Sequence, residues 1–223
     1  PAARRLGAIG GSLLAWLLVL VAAQASDRPF RWRWSNPAPH GGNVFDMTYG
    51  FGLTVQVCER GQIYTSEDLL LWHPRTSGTT NALRATTFFN NRLLVTGESG
   101  TVVWADSLED FQLLDLGTAD WLEGVAASGT LAVAVGDNGA AYTSTTGTNW
   151  TRETTGFTTW LRGVTAGNNL FVAVGEGGRI ATRAANGNWS VETSGTVQHL
   201  NRVAFIGSQF WAVGDAGTVL VAN

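Results

Sequence analysis

The sequence has no lysine, one cysteine and only 5 prolines in 223 residues. Charged residues make up 14% of it, against about a quarter in soluble domains. Serine, threonine, asparagine and glycine must therefore carry much of the polar surface. The single cysteine, Cys58, excludes an intramolecular disulfide, a CxxC motif and a thiolate metal site. Packing and strand pairing must hold the fold instead. The three histidines, His40, His73 and His199, are dispersed and suggest no metal cluster, and no cofactor is implied. With a net charge of -3 and arginine as the sole basic residue type, the chain has no electrostatic footprint for nucleic acid. What it does have is 44% hydrophobic residues and 28 glycines. That is apolar surface enough for a core and the mark of many tight turns between short strands.

The N-terminus reads as a targeting segment. Arg4 and Arg5 precede an uncharged run from Leu6 to Ala23, and Ala23-Gln24-Ala25 offers small residues for signal peptidase. Residues 1–25 are thus a secretory signal or, since the run nearly suffices to span a bilayer, an uncleaved anchor. Either way the remainder is expected outside the cytoplasm, as a periplasmic, extracellular or outward-facing anchored bacterial protein, with membrane contact only through this segment. The first residue is Pro rather than Met, so the chain is expected to be cut at its start.

The remainder repeats itself. Gly61, Gly100, Gly139, Gly178 and Gly217 are spaced by 39 residues. Trp72, Phe111, Trp150 and Trp189 keep that period, as do Leu83, Leu122, Leu161 and Leu200. In the clearest unit, Leu161–Val164, Leu170–Val174, Arg179–Thr182 and Trp189–Thr193 read as four short strands separated by Asn and Gly turns. The second is apolar throughout, which means burial on both faces. A sheet that cannot bury both faces alone must stack on its neighbours, so the fold class is all-β, a β-propeller of four-stranded antiparallel blades. Residues 26–223 hold close to five periods, at 44–80, 81–119, 120–158, 159–197 and 198–223. The last lacks a fourth strand. Trp34-Ser35, within residues 30–36, matches Trp150-Thr151 and Trp189-Ser190 and is expected to supply it, closing five blades; the alternative is part of a ring of six to eight.

Thr65-Ser66-Glu67-Asp68 followed by Trp72, and Thr143–Trp150, resemble Asp-box (BNR) repeats. Ser107, Thr146 and Ala185 stand where the other repeats would carry the box aspartate of Asp68. Val172–Gly175 and Val133–Gly139 are similar to the bacterial propellers of the photosystem II assembly factor family. The resemblance covers residues 30–223 and implies a binding or assembly scaffold rather than an enzyme. Asp-box propellers also include sialidases, which implies the alternative of a glycan-binding or glycoside-hydrolysing protein. That chemistry needs clustered arginines for a carboxylate and a tyrosine nucleophile with a glutamate. Tyr64 and Tyr142 share one repeat column and read as packing, and Tyr49 belongs to the first strand-turn region.

Candidate binding residues therefore come from one face of the ring. The hairpin between second and third strands places Glu59, Glu98, Asp137, Glu176 and Asp215 there, one acid per blade, suited to a cationic partner if left open. Trp121, Trp160 and His199, each preceding the repeat leucine, join them and suit a protein or peptide, or a sugar. Arg84, Glu123, Arg162 and Asn201 follow the leucine, with Asp46 one residue late in the first blade; they are expected to form a belt of inter-blade ion pairs near the channel.

Overall fold

Each apolar run of the repeat ends at glycine or asparagine turns, and each becomes a short strand. The computed structural model describes residues 42–184 and 187–222. The first sheet holds β1 (Val44–Gly50), β2 (Leu53–Cys58), β3 (Ile63–Ser66) and β4 (His73–Arg75). The second holds β5 (Leu83–Phe89), β6 (Arg92–Gly97), β7 (Thr101–Ser107) and β8 (Asp110–Asp115). The third holds β9 (Leu122–Ser128), β10 (Leu131–Gly136), β11 (Ala140–Ser144) and β12 (Thr151–Thr154). The fourth holds β13 (Leu161–Gly167), β14 (Leu170–Gly175), β15 (Ile180–Ala184) and β16 (Trp189–Glu192). The fifth holds β17 (Leu200–Ile206), β18 (Gln209–Gly214) and β19 (Val219–Ala222). Within each sheet, strands pair antiparallel in chain order. The expected signal segment 1–25 and the expected strand at 30–36 lie outside the described residues. Among the described residues, no helix is long and apolar enough to cross a membrane.

The second strand is apolar on both faces because a different neighbour covers each. In β10, Val133 and Val135 pack with Leu161, Phe171 and Ala173 of the fourth sheet. Ala132 packs with Phe89 and Leu94 of the second sheet, and Ala134 with Ala85 and Val102. Alternate residues thus serve opposite seams, the period-2 geometry of a strand used twice. The repeat leucines Leu83, Leu122, Leu161 and Leu200 are wholly buried, each contributing about 1.5–3 kcal/mol. β1, β5, β9, β13 and β17 pack in succession. Asp46, Ala85, Val125, Val164 and Val203, one from each, line a single cavity of about 140 Å³.

The far face of the fifth sheet differs from the others. Trp211 and Val213 are 37% and 44% exposed, whereas their repeat equivalents Val172 and Val174 are 7% and 0%.

One glycine column explains how the hairpins sit. A Cβ at Gly97, Gly136, Gly175 or Gly214 would overlap the carbonyl of Ala82, Trp121, Trp160 or His199 respectively. That contact lets the next amide reach the same carbonyl: Glu98, Asp137, Glu176 and Asp215 donate to those oxygens at 2.9–3.0 Å. In the first sheet Cys58 takes the glycine position, and Glu59 N–H still donates to Asn43 at 3.0 Å.

Polar pairs also cross the seams. Arg183, buried in the fourth sheet, donates to both carboxylate oxygens of Glu153 in the third at 2.7 Å, and Trp189 Nε1 adds a bond of 3.0 Å. Burial raises the Glu153 pKa, but Arg183, Thr143 and Trp189 together outweigh it and hold the group below its ordinary 4.5.

Two expectations follow. Gly175→Ala forces the hairpin off the Trp160 carbonyl and lowers stability by about 3 kcal/mol in urea denaturation. Glu153→Gln costs about 2 kcal/mol at pH 7. Because the folded-state pKa is lowered, the stabilisation is complete above 4.5 and lost as pH falls through the lowered value. The variant therefore shows a shallower loss of stability on acidification than the wild type.

Candidate functional site

The belt column is built by a repeated irregularity. In every first strand the pairing skips one residue, between Val44 and Asp46, Leu83 and Ala85, Leu122 and Gly124, Leu161 and Gly163, and Leu200 and Arg202. The skipped residues are Phe45, Arg84, Glu123, Arg162 and Asn201. A bulge re-aims the residue it frees. Arg84, Glu123 and Arg162 line the central cavity together with Asp46 and Arg202. An adjoining space of about 390 Å³ shares Arg84, Glu123, Arg162 and Arg202, and adds Trp160 and Asn201.

Three belt side chains pair within their own sheet as well as across the seams, so the expected inter-blade ion pairs form only in part. Arg84 meets Glu98 at 2.6 Å, Arg162 meets Glu176 at 2.9 Å, and Asn201 donates to Asp215 at 2.7 Å. Between sheets, Arg84 and Glu123 form an ion pair at 3.7 Å, Arg162 donates to Asn201 at 2.8 Å, and Asp46 accepts the Thr86 amide at 2.8 Å. Among the described residues, Glu123 and Arg162 form no ion pair. The hairpin acids are accordingly not an open ring of carboxylates. Besides the three just named, Asp137 accepts the Trp121 amide at 2.7 Å and Glu59 accepts from Asn43 at 3.0 Å.

Where the third sheet puts Glu123 in the belt, its hairpin Asp137 cannot serve as an opposite charge. Burial pushes the Glu123 pKa up; Arg84 and Arg202 pull it down, while Glu98 and Asp137 push it further up. Asp137 is likewise raised, by burial first and by Asp120. Asp46 is raised by burial, against the Thr86 and Met47 amides and the attraction of Arg202.

The aromatic column lies beside this cavity. Trp121 and Trp160 meet edge to face, with ring centres 6.2 Å apart, the arrangement aromatic quadrupoles favour. Arg84 stacks over Phe45 at 4.2 Å and lies 5.3 Å from the Trp121 ring, and Arg162 lies 5.8 Å from that of Trp160. Trp121 is 36% exposed. His199 accepts the Gly177 amide on Nδ1 at 3.0 Å. Of the buried polar atoms here, Trp160 Nε1 has no hydrogen-bond partner, and Arg84 Nε and Glu123 Oε1 meet only each other, as the ion pair at 3.7 Å. The mouth thus offers the exposed Trp121 ring beside arginine and glutamate side chains, a combination suited to a guest with both apolar and polar groups.

Sequence reasoning missed Arg202. It shares a repeat column with Asp46, and the three members between them are Ala85, Gly124 and Gly163. Those are small because first strands approach closely; a Cβ on Gly124 would lie 3.2 Å from the Val164 nitrogen. Two opposite charges at the ends of a small-residue column were the available signal.

Three arginines therefore converge on the cavity, as carboxylate recognition of the sialidase kind would require, but no tyrosine lines it. Tyr142 instead donates to Asp120 at 2.7 Å, and Tyr49 is 70% exposed. Among the described residues no cluster of His, Cys, Asp and Glu could hold a metal. Burial, then Glu59, pushes the Cys58 thiol up to about 12, so it is not a nucleophile. At the periphery, Asp68 Oδ1 accepts the Leu70 and Leu71 amides at 2.8 and 3.0 Å, and Thr146 Oγ1 does the same for Thr148 and Asn149 at 3.2 and 3.1 Å. Those turns are structural.

No family model matches the chain, and no curated protein matches its sequence. Solved structures do match its fold. YCF48 bound to D1 peptide superposes with a TM-score of 0.66 at 18% identity, covering 83% of this chain and 64% of that one. YCF48 from Cyanidioschyzon merolae gives 0.65 at 18% identity, covering 84% and 69%. The WD40 propeller domain of Doa1 gives 0.67 at 12% identity, covering 83% and 65%. The chain thus spans roughly two thirds of the length of these structures. It folds as a β-propeller whose described sheets have four strands in four cases and three in the fifth, similar in architecture to YCF48.

Proposed function

We propose that this protein is a non-catalytic propeller scaffold that binds an extended segment of a protein partner at the mouth of its central cavity, outside the cytoplasm. The observation that carries this reading is the edge-to-face pair of Trp121 and Trp160 at the cavity mouth, with Trp160 Nε1 lacking a hydrogen-bond partner. A peptide backbone carries both carbonyl acceptors and amide donors, and its side chains can lie on the exposed indole. Aromatic residues in such settings dominate binding energy. A propeller of the same fold, YCF48, has been solved with a D1 peptide, which supports a peptide ligand for this scaffold. The engaged hairpin acids weigh against a simple cation trap, and the missing tyrosine weighs against glycoside hydrolysis.

The reading is tested by probing purified protein on a peptide array and a glycan array, then measuring affinity for the best hits. Trp121→Ala and Trp160→Ala are each expected to weaken peptide binding by about 30-fold, the loss of a hot-spot residue, with little change in melting temperature. Peptide binding that survives both substitutions overturns the site. Hits confined to sialylated glycans overturn the peptide reading.

A further inference from the structure

In four sheets the hairpin acid is engaged by a side chain that donates to it. Glu98 meets Arg84, Glu176 meets Arg162, Asp215 meets Asn201 and Glu59 meets Asn43. The third sheet breaks the pattern because its belt residue, Glu123, has the same sign of charge as its hairpin acid, Asp137. No partner of the usual kind is available there, and Asp137 turns to the backbone instead. Its Oδ1 accepts the Trp121 amide at 2.7 Å, while its own amide donates to the Trp121 carbonyl at 3.0 Å. One residue thus holds both backbone polar groups of Trp121. The adjacent carboxylate, Asp120, is engaged by Tyr142 at 2.7 Å and Arg152 at 3.4 Å and leaves that amide to Asp137. Trp160 has only half of this arrangement: the Glu176 amide donates to its carbonyl at 2.9 Å, but the Glu176 carboxylate is engaged by Arg162.

A backbone pinned at amide and carbonyl fixes the direction in which its side chain leaves, and the allowed rotamers follow from the backbone. The Trp121 indole is thereby set edge to face with Trp160 at 6.2 Å and 5.3 Å from the Arg84 guanidinium. It is 36% exposed, so packing alone orders it only in part. The bond from its amide ends on a carboxylate, and such charge-assisted bonds are stronger than neutral ones. An aromatic that is already ordered loses less freedom when a ligand settles on it.

We propose that Asp137 is a positioning residue, which presets the Trp121 indole as the anchor for the bound segment without itself touching that segment. This rests on the peptide reading of the same mouth. It gives Asp137 a part different from that of the other hairpin acids, and the cause lies in one residue of the third repeat: Glu123 stands where Arg84 and Arg162 stand in the neighbouring ones.

The test has two arms, and the first needs no ligand. The full chain is labelled with fluorotryptophan, and the Trp121 fluorine resonance is assigned by its loss in Trp121→Phe. Asp137→Ala, and Asp137→Ser with a hydroxyl one atom too short, are expected to broaden that resonance. Asp137→Asn, which keeps an acceptor oxygen at the same place, is expected to leave it sharp. A Trp121 resonance equally sharp in all three variants overturns the assignment, whether or not any peptide binds. In the second arm, affinity for the best peptide from the array is expected to fall about fivefold in Asp137→Ala, the cost of ordering one side chain on binding. In Asp137→Asn it falls by no more than about twofold, the difference between a charged and a neutral acceptor. In a Trp121→Ala background, Asp137→Ala is expected to cause no further loss, because it acts through that indole. Losses that add, or that are equal for the alanine and asparagine variants, overturn the positioning role. A wild type that binds no peptide overturns the peptide reading, and the first arm then decides separately whether Asp137 orders Trp121.

Discussion

The interaction on which the rest depends is one backbone hydrogen bond per sheet. The hairpin amides of Glu59, Glu98, Asp137, Glu176 and Asp215 each donate to the carbonyl immediately before the first strand. Four of the five need glycine just before the donor, because a side chain there would collide with that carbonyl. This bond brings hairpin and strand entry together, so it fixes the neighbouring positions too. It holds Trp121, Trp160 and His199 by their own backbone oxygen, seats the buried leucine next in sequence, and leaves the following residue in the bulge. Aromatic column, core anchor and charged cavity are consecutive consequences of one contact.

The absence of lysine acquires a physical meaning here. Arg84 touches a carboxylate in its own sheet, another in the next, and two aromatic rings. Arg183 bonds both oxygens of Glu153 from a buried position. A planar fork with several donors and a weakly hydrated face can do this, whereas a compact ammonium cannot.

The fold was legible in the sequence because three residue columns kept one period and the second strand was apolar throughout. The site was legible only as columns. Which residues pair depended on the bulge, and a bulge leaves no pattern in a single sequence. The charged column suggested neighbours around the ring, and Arg84 does meet Glu123, yet Arg84, Arg162 and Asn201 also turn toward their own hairpins, fourteen residues on. Arg202 was hidden because it falls one position after the charged column, where three of the other repeats need small residues to let strands approach. Glu153 and Arg183 were invisible for a related reason: their meeting requires two sheets to be set side by side.

The intra-sheet pairing of belt and hairpin has an evolutionary corollary. A repeat in which Arg84 answers Glu98, or Arg162 answers Glu176, carries its own counter-ion. Duplicating or deleting such a unit by recombination strands no charge in the cavity. A belt whose partners lay wholly in adjacent repeats would leave an uncompensated ion at every new junction. Self-neutral units are thus the kind from which rings of different size can be assembled without redesigning their interior.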